Sequence, residues 1–188
     1  LVSRFLGEEN LKDAEQAARQ SLLFSLLGAI ATGVPLALSA RFLVGAIGAK
    51  DAVVPLATSY TAIISWASIP LFINTIATTV LRSQGDARSP LYAGAAVILV
   101  NVLFDWLLIF GFWKIPAMGI RGAAVATGIS RVVGMALTLW FLRRSVLGNS
   151  LSHWRFDWNW LRRIFSIGWP ASGQNIVWSV SSALFMHI

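Results

Sequence analysis

A single carboxylate stands inside the long apolar runs of this sequence. Asp105 interrupts residues 89–113, and no other apolar run contains an acid. Asn101 precedes it by four residues, one helical turn away on the same face. In the next run Thr127 and Arg131 are also four apart. A carboxylate with amide and hydroxyl neighbours can bind and release a proton, or coordinate a small hard cation through oxygen. An ionisable group at membrane depth is costly and marks a functional site by default. The competing role is structural, with the polar set hydrogen-bonding two helices together. Arg131 could pair with Asp105, line an aqueous cavity, or serve structure alone.

Other chemistries lack their residues. Cysteine is absent, which removes disulfides and Cys-based metal sites. There is no GxxxxGK[ST], GxSxG or HExxH pattern, and His153 and His187 are far apart. The sequence therefore predicts no enzyme, no metal site and no cofactor beyond a coupling ion. Gly119-Ile-Arg-Gly122 matches a GXXG pattern but opens an apolar helix, so it is not read as a nucleic-acid loop.

The elements that position these residues follow from composition. Of 188 residues, 56% are apolar and 12% charged, and the mean hydropathy is +0.69. A soluble domain carries about 25% charged residues. Apolar runs of about 20 residues span a bilayer, and five such spans are predicted, near 21–45, 53–80, 90–112, 118–142 and 163–188. The fold class is thus an all-α transmembrane bundle. At 1.5 Å per residue, Asp105 lies about 10 Å from the end of its helix at Gly111. Thr127 lies about 14 Å from the corresponding end of the next helix at Met118, at similar depth.

The net charge of +7 would suggest nucleic acid in a soluble protein, but the distribution points to lipid. Ten Lys and Arg fall in loops on one side: Arg4, Lys12, Arg19, Arg82, Arg88, Arg143, Arg144, Arg155, Arg162 and Arg163. Four fall on the other: Arg41, Lys50, Lys114 and Arg121. The richer side is cytoplasmic by the positive-inside rule. Residues 7–20 form a polar connection that starts the first span. Pro90 is expected at the first position of its helix. Pro35 and Pro70 fall within spans, where they free a carbonyl and kink the helix. Residues 143–162 are the longest polar stretch, expected as a cytoplasmic linker and an interfacial segment, with Trp154, Trp158 and Trp160 at headgroup level. As a linker it should accept a Gly/Ser insertion after Gly148. The ends read as cut: Leu1–Leu6 resembles a helix tail, and Phe185–Ile188 ends inside an apolar run. The expectation is a piece of a longer polytopic protein.

Several segments resemble the MATE (multidrug and toxic compound extrusion) family. Arg82-Ser-Gln-Gly-Asp-Ala-Arg-Ser-Pro90 is similar to its R-x-x-G-D-x-R-x-P loop. Asn101-Val-Leu-Phe-Asp105-Trp-Leu-Leu-Ile-Phe-Gly111 resembles its N-x-x-x-D-P-x-L-I-x-G helix. Met118-Gly-Ile-Arg-Gly-Ala-Ala-Val-Ala-Thr127 resembles the M-G-V-x-G-A-A-x-A-T opening of the next. Residues 4–20 and 156–170 are similar to the first cytoplasmic loop and to the approach to the second lobe. The resemblance implies a twelve-helix, two-lobe exporter. Residues 1–142 would be part of the first lobe, from the end of helix 2 through helices 3–6. Residues 143–162 would link the lobes, and 163–188 would begin helix 7.

The implied function is secondary antiport, in a prokaryotic plasma membrane, of organic and mainly cationic compounds against H⁺ or Na⁺. Asp105, Asn101 and Thr127 match the family's cation-responsive positions in the first lobe. A further family Asp lies on helix 1, before this chain. Two positions depart from the pattern: Trp106 replaces the usual Pro, and Arg131 stands where many members carry Gln. The implied partners are a small organic substrate, the coupling cation and the bilayer, with no nucleic acid. The alternatives are a lipid-linked sugar flippase of related fold, which needs a cationic cavity for phosphate, and a non-transporting membrane subunit.

Overall fold

Apolar runs this long remain stable in lipid only as helices, because every backbone polar group must be satisfied within the segment. The structure, a computed structural model, describes residues 1–48, 53–112, 116–152, 156–166 and 168. Its helices are α1 (Val2–Gly7), α2 (Leu11–Leu38), α3 (Ala40–Ala46), α4 (Val54–Trp66), α5 (Ser68–Ser83), α6 (Arg88–Phe110) and α7 (Ile120–Arg144). A 3₁₀ turn, Gly148–Leu151, follows, and residues 158–166 are helical. Four segments are long and apolar enough to cross a membrane: Leu11–Leu38, Val54–Ser83, Arg88–Phe110 and Ile120–Arg144. The fifth expected span, 163–188, lies mostly outside the described residues.

Two expected spans are not continuous helices. The run near 53–80 breaks at Ala67, between α4 and α5. Pro70 explains the position, since its ring conflicts with the carbonyl four residues back, at Trp66. Ser68 repairs the break by donating its hydroxyl to the Ser65 carbonyl at 2.6 Å. Gly33 of α2 packs against the same spot, where an added Cβ would lie 2.9 Å from the Ser65 carbonyl oxygen. The run near 21–45 begins earlier, at Leu11, where Asn10 accepts the Asp13 N–H at 3.2 Å as a cap. It ends at Leu38, three residues beyond Pro35, and α3 follows after Ser39.

The helices run up and down, and α7 packs against α4, α5 and α6 while α2 packs against α4 and α5. The main core lies at the end of the bundle near α1 and the Gly148–Leu151 turn. It joins Phe5, Ala14, Ala18, Leu22, Val80, Leu81, Leu142 and Leu147. Outside this cluster the spans keep large apolar side chains exposed, among them Leu99, Leu103, Trp106 and Phe110 of α6. In a bilayer those faces meet lipid or further helices.

The 82–90 loop is built as a helix start. Gly85 turns the chain at φ +82°. Asp86 then accepts the backbone N–H groups of Arg88 at 3.1 Å and Ser89 at 3.0 Å. These satisfy donors that open α6. Pro90 occupies the third position of α6, where an N–H would have no helical partner, and not the first position as expected. Bonds from the Ser89 side chain and backbone, with smaller help from Arg88, hold the Asp86 carboxyl below the usual carboxylate range. Its folded pKa is depressed, so its contribution is present above the unfolded carboxylate pKa, about 4, and is lost as pH falls through the folded value. Asp86→Ala is expected to cost about 1 kcal/mol at neutral pH. The difference from wild type should shrink on acidification, which melting curves in detergent across pH will check.

Part of the 143–162 stretch is packed, which argues against the expectation that it tolerates insertion. Leu147 and Ser150 are fully buried. The Arg19 guanidinium donates to the Asn149 carbonyl at 3.4 Å, and the Asp157 N–H donates to Gln20 Oε1 at 3.3 Å. Trp160 stacks edge-on with Phe5 at 5.8 Å, whereas Phe156 and Trp158 remain exposed. An added Cβ at Gly148 would collide with the Arg143 carbonyl. A Gly/Ser insertion after Gly148 is therefore expected to pull Leu147 from the core and to cost about 2 kcal/mol or more. It should lower the melting temperature; an unchanged value would restore the free-linker reading.

Candidate functional site

The site is set by how closely α6 and α7 approach, and glycine makes that approach possible. Gly122 lies against the Leu108 backbone, and an added Cβ there would collide with the Leu108 carbonyl. Twelve residues further along α7, Gly134 lies against Val97. The connection is pinned as well. The Met118 N–H donates to the Leu108 carbonyl at 2.9 Å and the Gly119 N–H to the Ile109 carbonyl at 3.3 Å. These bonds satisfy carbonyls that the end of α6 leaves without helical donors. Gly111 (φ +76°) and Gly119 (φ +55°) adopt backbone conformations that favour glycine.

Those contacts fix the register of the antiparallel pair. Thr127 is five residues beyond Gly122 and stands level with residues 103–104, between Asn101 and Asp105. Asn101 lies four residues from Val97 and seven from Leu108, so it falls on the α6 face that meets α7. Asp105 falls on the flank of that face. All three residues are half-buried, and no hydrogen bond or ion pair joins them. The arrangement brings one carboxylate, one amide and one hydroxyl to a common depth on two facing helices. It leaves their oxygens free to take up a proton or a small hard cation.

Arg131 is half-buried one turn beyond Thr127, level with residues 99–100. It stands about 8 Å along the axis from Asp105, at 1.5 Å per residue. Of the roles open to Arg131, pairing with Asp105 is not formed: the one ion pair among the described residues is the exposed Arg4–Glu8 contact at 2.8 Å. No group of three or more His, Cys, Asp or Glu among the described residues could hold a metal.

Sequence reasoning missed a second polar contact. Thr138 of α7 is fully buried. Its Oγ1 lies 2.6 Å from Asn74 Oδ1 of α5 and 2.7 Å from the Gly134 carbonyl, so one proton is shared between two acceptors. Asn74 also flanks Gly134. The signal was present, as a lone amide within a span free of charge, but Thr138 is 64 residues away. This contact ties α5 to α7 and steadies the helix that carries Thr127.

The chain spans less than half of the curated relatives it matches. It is 24% identical over its whole length to the uncharacterized transporter YisQ of Bacillus subtilis, of which it covers 42%. It is 32% identical over 133 residues, or 70% of the chain, to a probable multidrug resistance protein NorM of Thermotoga maritima, covering 29% of that protein. In structure it resembles an inward-facing multidrug resistance MATE family transporter of the MOP superfamily. The TM-score is 0.78 at 26% identity, over 91% of this chain and 39% of that one. The model of the MatE family matches residues 1–107, which include Asn101 and Asp105. With more than half of its length matched, this chain belongs to the MatE family.

Proposed function

We propose that the protein is a secondary antiporter that exports organic, cationic compounds in exchange for H⁺ or Na⁺. Two six-helix lobes alternate access across a prokaryotic plasma membrane, and Asp105, Asn101 and Thr127 form the ion-responsive site of the first lobe. Residues 1–142 belong to that lobe, and 143–162 connect it to a second lobe that begins at 163–188. The protein is a carrier and not an enzyme, and it uses no cofactor beyond the coupling ion. The observation that carries the reading is the register of α6 and α7, which sets Thr127 between Asn101 and Asp105. Relatives described as multidrug resistance proteins and a MATE transporter of the same fold support it. The test is efflux of a fluorescent organic cation from vesicles holding the purified protein, under an imposed pH or Na⁺ gradient. Efflux that ignores both gradients would end the antiport reading.

The proposed orientation has its own check. Ser83→Cys is expected to react with an impermeant maleimide only from the cytoplasmic side, and Lys50→Cys only from outside. Lys50 lies outside the described residues, but native Cys is absent and the background is clean. The reverse labelling would invert the topology.

One observation favours a second reading. Arg131 is a mid-helix cation without an ion-pair partner among the described residues, and such a charge suits a substrate with an anionic group, as in lipid-linked sugar flipping. If an anionic dye is exported and Arg131→Gln abolishes that export, this reading replaces the cationic one.

A further inference from the structure

At the end of the bundle away from the 82–90 loop, α3, α4 and α7 surround a cleft of about 480 Å³. It is lined by Arg41, Val54, Pro55, Thr58, Ser59 and Arg121. Among the described residues its polar side chains are two guanidinium groups and two hydroxyls, with no carboxylate. Neither guanidinium makes a hydrogen bond or ion pair among the described residues. Three arginines elsewhere are engaged: Arg4 with Glu8, Arg19 with the Asn149 carbonyl, and Arg144 over the Trp140 ring at 4.0 Å.

Thr58 adds an independent sign. Several hydroxyls in these helices donate to the carbonyl four residues back, as Ser59, Ser65, Thr75 and Thr79 do. Thr58 does not. Its Oγ1 is buried and has no hydrogen-bond partner, a costly state for a hydroxyl shielded from water. The backbone adds charge of the same sign. Val54 and Pro55 open α4 and Arg121 lies in the first turn of α7, so two helix starts, each carrying partial positive charge, border the cleft.

The surroundings place the cleft at a membrane surface. Phe42 beside Arg41 is 76% exposed, and Ile120 beside Arg121 is 56% exposed. Apolar side chains so exposed at the end of the spans meet acyl chains. Neighbouring guanidinium groups then lie at headgroup level.

We propose that Arg41, Arg121 and Thr58 form a binding site for a phosphate-class anion, separate from the Asp105 set and independent of the transport reading. Guanidinium groups take phosphate oxygens in pairs, and the Thr58 hydroxyl, buried at the wall of the cleft, becomes a third donor when its side chain rotates toward the bound phosphate. The phosphate could be that of an anionic lipid headgroup or of a free phosphate-bearing solute.

The test titrates the purified protein, in neutral detergent, with phosphatidylglycerol and with phosphatidylcholine, counting bound lipid by native mass spectrometry. Phosphatidylglycerol should bind more tightly. Arg41→Gln and Arg121→Gln should each weaken it roughly fivefold and together about twenty-five-fold, while Arg82→Gln at the opposite end should not. Thr58→Val should weaken binding by roughly threefold yet raise the melting temperature, because it removes an unsatisfied hydroxyl. A purely structural threonine would not separate the two readouts. Excess inorganic phosphate distinguishes the sources. Displacement of the lipid, lost in the double variant, identifies a soluble phosphate ligand; lipid held against phosphate identifies the headgroup. The proposal is overturned if the double variant, folded with an unchanged melting temperature, binds phosphatidylglycerol like wild type. It is also overturned if the two lipids bind equally and inorganic phosphate raises the melting temperature of wild type and double variant alike.

Discussion

Asp105→Asn is expected to reduce gradient-driven efflux to the level of protein-free vesicles, while the protein still inserts, folds and binds substrate. The substitution keeps the size and most of the hydrogen-bonding capacity of the side chain but removes the charge that a proton or cation must meet. In the structure Asp105 is half-buried on the flank of α6 and accepts no hydrogen bond from another of the described residues. Nothing in the fold therefore depends on its charge, and the melting temperature should stay within the range of a surface change, about 0.5 kcal/mol. Coupling is different: an amide that cannot titrate cannot exchange a proton for substrate, and it holds a small hard cation more weakly than a carboxylate. Efflux and substrate binding measured on the same preparation separate the two effects. Wild-type efflux in Asp105→Asn would leave the residue as a helix-packing group. Because Arg131 forms no ion pair with Asp105, Arg131→Gln is expected to leave the pH dependence of efflux near that of wild type. A clear displacement would show that the pair forms in another state of the transport cycle.

The second large effect is expected at Gly122. A methyl group there meets the Leu108 backbone carbonyl, and no flexible side chain can move aside. The α6–α7 pair must separate or slide, and overpacking of this kind costs about 1–3 kcal/mol. Gly122→Ala should lower the melting temperature, and Gly122→Val should lower it further. A slide also shifts Thr127 relative to Asn101 and Asp105, so efflux should fall more than stability alone explains. Gly94, on α6, is the internal control. An added Cβ there meets nothing within 4 Å, so Gly94→Ala should be neutral or stabilising by a few tenths of a kcal/mol, up to about 1. Equal melting temperatures for Gly122→Ala and Gly94→Ala would mean that the close approach of α6 and α7 does not limit stability.

Much of this protein was legible in the order of its residues. Hydropathy alone located the spans now described at Arg88–Phe110 and Ile120–Arg144 to within two residues, because a chain with so few charges must satisfy its backbone internally and length then selects the helix. The Asn101–Asp105 pair was legible because one turn is a local quantity, fixed by helical geometry whatever the rest of the chain does. Thr127 was placed at similar depth by counting residues from two chain turns. The α6–α7 packing agrees with that count, since Gly122 and Gly134 lock the register.

What required tertiary structure was non-local. The break at Ala67 reflects Pro70, which the sequence marks, but its accommodation rests on Gly33 of α2 packing against it. Leu147 and Ser150 lie in a polar stretch that looked free. Their burial depends on α2 and α7, which no local pattern encodes. The Asn74–Thr138 contact and the convergence of Arg41, Thr58 and Arg121 join residues tens of positions apart. Helix propensity and hydropathy describe a segment in relation to its solvent, whereas these arrangements depend on which segment lies beside which.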